Sequence, residues 1–388
     1  MIIMEMCTHD SYRDSTRMIN THYHRTGDEC LKVRTIADKV ESTGRSIDRY
    51  IEDKTNSILN TCHFSAEDGM PFEAAQLPSS ITSPDFSQEK ERAADHYEEI
   101  RKAVSAINER NSTSFQIRKQ PKVLAGEIEY SRSNCVYIAM DDVGVKHQKD
   151  ARKDGGRKEG EVVENTDIRI MYQDTGYSIT HVGMDEAFRR LTAFLLENHL
   201  MENKHLIFLT DGATNLRKAI ADHYGYVHYT IIIDWFHLKK HCYETMSMAV
   251  RGDKQKKHAI QAEFNRRLWY GDIDAAIEYL EKMDEKDIKN KYQLQETIKY
   301  LKKKKPFAAC YAVRSELGLP NSSSPVEKDN DLLVAQRQKN NGMAWSYDGS
   351  GCLAQITAVF RNNEAESWLT DKTIPFHMIS SATPALLA

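Results

Sequence analysis

The feature that most limits how this chain can fold is a series of short apolar runs between residues 135 and 233, separated by amphipathic stretches. "CVYIAM" (135–140), "EVVENTDIRIMYQ" (161–173) and "YSITHVG" (177–183) read as strands, and "DTG" between the last two is a hairpin signal. "DEAFRRLTAFLLENHL" (185–200) follows as an amphipathic helix. Then come "HLIFL" as a strand, "ATNLRKAIADHYG" as a helix ending at Gly225, and "YTIII" as a strand. A hairpin followed by alternating strands and helices predicts an α/β fold, with a mixed five-stranded sheet flanked by helices.

Three of these runs stop on an acid. The first reaches Asp141–Asp142, the fourth Asp211 and the fifth Asp234, with His237 three positions later. A carboxylate is a poor way to finish a core and a common way to build a site. Another acid, Glu327, sits in the first turn of a helix that Pro325 opens. In a mixed sheet the first and fourth strands can lie side by side. Their terminal carboxylates, Asp141 and Asp211, are then expected to converge with Glu327 from a helix across that edge. Three hard oxygen ligands without a cysteine suit magnesium or manganese rather than zinc. Two such ions, about 4 Å apart, would clamp the attacking and leaving oxygens of a phosphodiester displacement. Most of the 57 acidic residues are solvated surface, so the ordered set carries this expectation and no single acid does. Side chains alternate along a strand, so only one of Asp141 and Asp142 can point into the site. Asp141 is favoured, because it shares a face with Tyr137 and Ala139 while Val136, Ile138 and Met140 pack on the other; Asp142 is auxiliary.

The organisation expected along the chain is as follows. Residues 1–62 are helical; Leu31, Val33, Ile36, Ala37, Val40, Ile47, Ile51 and Ile58 recur at helical spacing, and "STGRS" (42–46) reads as a turn between two helices. This gives either a DNA-reading helix-turn-helix or a helical hairpin docked on the main domain. Residues 63–132 are a linker containing Pro71, Pro78 and Pro84, with a charged helix over 93–110. Residues 133–237 form the first part of the core, and 238–320 an all-helical insertion. The core's last helix, with Glu327, lies in 321–347. The final segment, 348–388, is short and loses its pattern after Phe376.

The net charge of −4 excludes a uniformly basic surface, so a nucleic-acid partner would be met by local patches. Candidates for phosphate contacts are Lys153 and Arg157 in the basic loop 146–158, Lys239, Lys240, Arg266 and Arg267 in the insertion, and Arg337 and Lys339 on the Glu327 helix. "KKKK" (302–305) alone reads as a solvated face. Trp269, beside Arg266–Arg267, could stack on a base, although a Trp at helical spacing is more often core; Trp345 is expected to be packing. No run approaches the roughly 18 apolar residues needed to span a bilayer. Seven scattered cysteines without a Cys-x-x-Cys pair fit reduced thiols in a cytoplasm.

Three blocks together resemble a DDE transposase of bacterial insertion sequences, of the Mutator-like group with a ribonuclease-H-like fold: "VYIAMDD", "LIFLTDGATNLRKAI" with "IIIDWFHLKKH", and "PVEKDNDLLVAQRQKNNGMAWS". The resemblance covers about 133 to 347. It departs at "SSSP", where relatives usually carry glycine before the Val-Glu pair, and the shortened C-terminus fits a truncated or decayed copy. It implies Asp141, Asp211 and Glu327 as catalytic metal ligands for two Mg²⁺ or Mn²⁺ ions. Asp234 and His237 would be an auxiliary Asp-x-x-His pair at the site's margin, and the simpler role for His237 is a hydrogen bond at the strand end. The implied reaction cuts transposon ends and joins the freed 3′-hydroxyl to target DNA, in a homodimer or higher assembly on DNA associated with a prokaryotic nucleoid. Rival readings are a ribonuclease-H-like nuclease or junction resolvase, and a DNA-binding remnant that does not cut. A haloacid-dehalogenase phosphatase would want Asp-x-Asp, and position 143 is Val.

Overall fold

The computed structural model describes residues 2–87, 134–148, 162–339 and 343–380, and the isolated positions 102, 105, 106 and 109. Most of the charged helix expected at 93–110 lies outside them. The chain opens with helices α1 (Ile2–His9), α2 (Tyr12–His22) and α3 (Val33–Thr61). Strands β1 (Cys135–Lys146), β2 (Val162–Tyr172) and β3 (Thr175–Val182) follow. Next come α4 (Met184–Glu197), β4 (His205–Thr210), α5 (Thr214–Tyr224) and β5 (Tyr229–Ile233). A helical stretch holds α6 (Trp235–Ala249), α7 (Lys254–Trp269), α8 (Ile273–Glu281), α9 (Lys291–Lys304) and α10 (Tyr311–Glu316). The chain then forms α11 (Ser324–Asn330), a π-helix (Asp331–Lys339), α12 (Tyr347–Arg361), α13 (Ala365–Thr370) and the two-residue β6 (Ile379–Ser380). Among the described residues no helix is long and apolar enough to cross a membrane.

The architecture is mixed α/β, and the chain divides into two compact units. The first unit comprises residues 1–77, 138–201 and 324–388. Its strand order is β1-β2-β3-β6. The expected hairpin is formed: β2 and β3 pair antiparallel, with Asp167 opposite Thr180 and Tyr172 opposite Thr175. Helix α4 turns an apolar face inward through Phe188, Leu191, Phe194 and Leu195, all buried. Phe194 stacks on Tyr177 at 4.3 Å, and the Phe376 ring meets both edge-on. Arg190 on the same helix is buried, yet it is bound by Glu186 at 2.7 Å and by Asp48 of α3 at 2.8 Å. A buried guanidinium is tolerated only with such partners.

The turn expected at 42–46 is absent. Helix α3 runs unbroken for 29 residues, burying Ile36, Val40, Gly44, Ile47, Ile51, Ile58 and Leu59 along one side. Gly44 does not break the helix because it serves a helix crossing. A β-carbon there would lie 2.4 Å from Cβ of Cys352 on α12. The glycine is a packing residue, and the helix-turn-helix considered for 31–60 has no second helix to form it.

The second unit comprises residues 78–137 and 202–323. Its strands run in the order β5-β4-β1, with Cys135–Tyr137 representing β1. Strands β4 and β5 pair in parallel, Leu206 with Tyr229 through to Thr210 with Ile233. β4 is buried along its whole length and β5 over residues 231–233, and their apolar runs suit two-sided burial in a parallel pair. Residues 238–320 form the expected helical stretch; its one ladder contact is the isolated bridge Val250–Ile288.

Candidate active-site carboxylates

In the first unit β1 does not end at the aspartates but continues to Lys146. Residues 135–140 are buried on both faces, and from Asp141 onward only alternate residues, Val143 and Val145, remain buried. The sequence signal marks a change from two-sided to one-sided burial, not the strand's end. Asp141 accepts a 2.6 Å hydrogen bond from Nδ2 of Asn330, and its other oxygen accepts from the Asp142 backbone at 3.0 Å. Asn330 ends α11, one helical turn beyond the half-buried Glu327. Asp142, on the other face, accepts from the Thr166 hydroxyl of β2 at 2.6 Å. Asp141 is therefore the member of the pair tied to the helix that carries Glu327.

Two acids of this unit escaped the sequence reading. Asp329 is fully buried and bound by Arg361 at 3.0 Å, by the Ser178 hydroxyl, and by Arg169 at 3.8 Å. Asp167 is fully buried on β2, and neither of its oxygens has a hydrogen-bond partner among the described residues. Burial pushes its pKa well above the ordinary carboxylate range; the Thr180 hydroxyl opposes the shift, and the charges of Asp329, Asp141 and Asp142 add to it. An acid at an inward position of an alternating strand was the available signal for Asp167. Asp329 gave none, since its partners Ser178 and Arg361 are far away in sequence.

In the second unit Asp211 follows the last residue of β4 and is exposed. Its Oδ1 accepts from the Ala213 backbone at 2.7 Å, and the Thr210 hydroxyl accepts from the Gly212 N–H at 3.0 Å. Gly212 adopts φ +78°, and a β-carbon there would lie 2.6 Å from the Lys304 ammonium. Lys304 Nζ donates to the Gly212 carbonyl, and Arg217 Nε donates to the same oxygen at 3.2 Å. The last turn of α9 thus clamps the loop carrying Asp211. Burial pushes the Lys304 pKa below its ordinary value, Arg217 adds to this, and Asp211 opposes it. Within "KKKK", Lys302, Lys303 and Lys305 are exposed as a solvated face would have them, with Lys302 facing Glu281 at 3.4 Å and Lys305 facing Asp274 at 2.6 Å. Lys304 departs from the expectation by being buried.

Asp234 is fully buried and caps α6. One oxygen accepts from the His237 backbone at 2.6 Å and from its ring Nδ1 at 3.1 Å. The other accepts from the Ser323 backbone and, at 3.1 Å, from its hydroxyl. Burial alone would raise this carboxyl's pKa; the donors outweigh it and hold the group below its ordinary value. His237 thus makes the strand-end hydrogen bond that its spacing allowed.

The phosphate-contact candidates divide. Lys153 and Arg157 lie outside the described residues. Lys239, Lys240 and Lys339 are exposed. Arg266 and Arg267 are half-buried and engaged with Glu263, at 3.2 and 2.6 Å. Arg337 requires correction: it is 1% exposed, with its guanidinium between the rings of Tyr12 (5.1 Å) and Trp345 (5.2 Å) and Nε donating to the Cys7 carbonyl at 3.0 Å. It holds α1 and α2 to the π-helix and does not face solvent. Trp269 is half-buried, packing against Trp235 at 4.8 Å and stacking over Tyr311, so its ring is engaged in packing, as is that of the buried Trp345.

No protein-family model matches this sequence, and no curated protein matches it.

Proposed function

We propose that this chain is a DDE-type transposase with a ribonuclease-H-like core, in which Asp141, Asp211 and Glu327 hold divalent metal for DNA strand cleavage and strand transfer. The observation that carries the reading is the bond from Asn330 to Asp141, which ties one motif acid to the helix of another. Further support comes from the second unit, where the parallel strands β4 and β5 run directly into Asp211 and Asp234. Acids at the carboxyl ends of parallel strands are where open α/β sheets place ligands.

The donor set fits Mg²⁺ or Mn²⁺, since all three proposed ligands are carboxylates. Bound there, such ions supply Lewis-acid charge for the in-line displacement. The chain's own groups provide position. Asn330 leaves Asp141 one defined orientation, and the Lys304–Arg217 clamp fixes the backbone beside Asp211. Asp234 and His237 lock the start of α6, and the exposed lysines of that helix meet phosphates.

The test is cleavage and joining of labelled end-bearing DNA with Mg²⁺ or Mn²⁺, comparing the native chain with Asp211→Asn and Glu327→Gln. Cleaved and joined products lost in both variants support the reading. Cleavage without joining points to a plain nuclease. DNA binding by native chain and variants alike, with no cleavage by any of them, identifies a remnant.

A further inference from the structure

Helix α6 buries Leu238, Cys242, Met246 and Ala249 and turns another face outward. On that face Phe236 is 50% exposed and Tyr243 53% exposed. Lys239 and Lys240 are exposed between them. Phe236, Lys240 and Tyr243 stand at i, i+4 and i+7, one stripe of a helix. Its two rings are about 10 Å apart along the axis. Among the described residues neither lysine is in an ion pair. Exposed Glu244 leaves the stripe net positive against the two lysines. Large exposed rings alternating with free cations are costly to leave in water, and they match one ligand chemistry well. Aromatic faces stack on bases whatever their identity, and ammonium groups between them neutralise the connecting phosphates.

We propose that the Phe236–Lys240–Tyr243 face of α6 is a stacking platform for unpaired DNA bases. The stripe begins two residues after Asp234, whose hydrogen bonds fix the helix's first turn, so the platform is rigid where it starts. It takes over the stacking role that the sequence offered to Trp269, whose ring packs against Trp235 and Tyr311. The inference rests on the strand-transfer reading, in which a cut end presents a short unpaired stretch.

The experiment measures fluorescence anisotropy of the full chain with two labelled probes, a blunt duplex and the same duplex bearing a short single-stranded 3′ overhang. Phe236→Ala and Tyr243→Ala should each weaken overhang binding on the order of tenfold, leaving the blunt duplex unchanged. Phe236→Trp and Tyr243→Phe should retain native affinity. Both alanine positions are on the surface, so unchanged thermal melting is the control for folding. Equal loss on both probes, or no loss on either, overturns the platform. A change in sedimentation rather than in DNA affinity would make the face a protein contact and overturn it too. If the native chain binds neither probe, the transposase reading itself fails. If the native chain cuts and joins DNA while the alanine variants bind the overhang normally, only the platform falls.

Discussion

Asp167 in the first unit and Asp234 in the second are both fully buried aspartates, and their environments drive them in opposite directions. Asp234 receives hydrogen bonds from the His237 backbone and ring and from Ser323, and it sits at the positive end of α6. Among the described residues Asp167 has only the weakly placed Thr180 hydroxyl to oppose its burial, and it has Asp329, Asp141 and Asp142 as charged neighbours. The donors lower the pKa of one carboxyl, and burial beside like charges raises that of the other. Burial alone therefore does not say whether an acid is charged; the donors aimed at it do. The same question can be put to each acid of the proposed site: whether it anchors the fold or serves the proposed chemistry.

The sharpest way to test that division is to remove the anchor expected to matter most. Asp329→Ala would leave Arg361, and Arg169 behind it, without their buried carboxylate. Breaking a buried pair from one side costs about 3–5 kcal/mol. Urea unfolding should show that loss as a lower midpoint at constant slope. A loss below about 1 kcal/mol would mean that both guanidinium groups regain water, and Asp329 would not be an anchor.

Asp234→Ala comes next, at about 2–3 kcal/mol, since it removes an N-cap and a charged acceptor of several bonds. Its pH dependence has a definite sign. The folded pKa is lowered, so Asp234 contributes stability above the ordinary carboxylate range and loses it as pH falls through the folded value. The native chain should lose stability in acid more steeply than the variant.

Asp167→Asn reverses the sign. The folded pKa is raised, so the protonated carboxyl supports the fold in acid. The unfolded chain gains by deprotonation as pH rises, and native stability falls by about 1.4 kcal/mol per pH unit until the folded group also ionises. Glu364, also buried and pushed up to about 7, adds a slope of the same sign. The difference between native chain and variant isolates Asp167. It should grow between about pH 5 and pH 7 in favour of asparagine. Parallel curves would show that Asp167 is solvated after all, and the contrast with Asp234 would collapse.

Much of this architecture was legible in the sequence because strands and helices announce themselves by local periodicity. The hairpin at "DTG", the β4-α5-β5 succession and the helical stretch after Asp234 were all read from spacing. What escaped depends on neighbours distant in the chain. Gly44 looks like a turn until Cys352 is packed against it. Arg337 looks like a phosphate contact until Tyr12 and Trp345 enclose it. Asp329 looks like one more surface acid on a polar helix until Arg361 and Ser178 reach it. Of the proposed site, Asp141, Asp211 and Glu327 are candidates from motif order alone. Asn330, Lys304 and Arg217, which orient the first of these acids and the loop of the second, carried no local sign.

Asp211→Asn should be the smallest of the four in stability, and this separates it from the anchors. Asp211 is exposed, and its Oδ1 accepts from the Ala213 backbone, a role that an asparagine carbonyl can reproduce. The expected change is within about 0.5 kcal/mol, the range of surface substitutions. Cleavage of end-bearing DNA should nevertheless fall by several orders of magnitude, because a neutral amide cannot replace a carboxylate in holding a divalent ion. Unfolding midpoint and product yield measured on one preparation decide the matter. A stable variant without products places Asp211 among the acids kept for chemistry. A variant that is destabilised by more than about 2 kcal/mol makes it an anchor like Asp329, and the site would have to be sought without it.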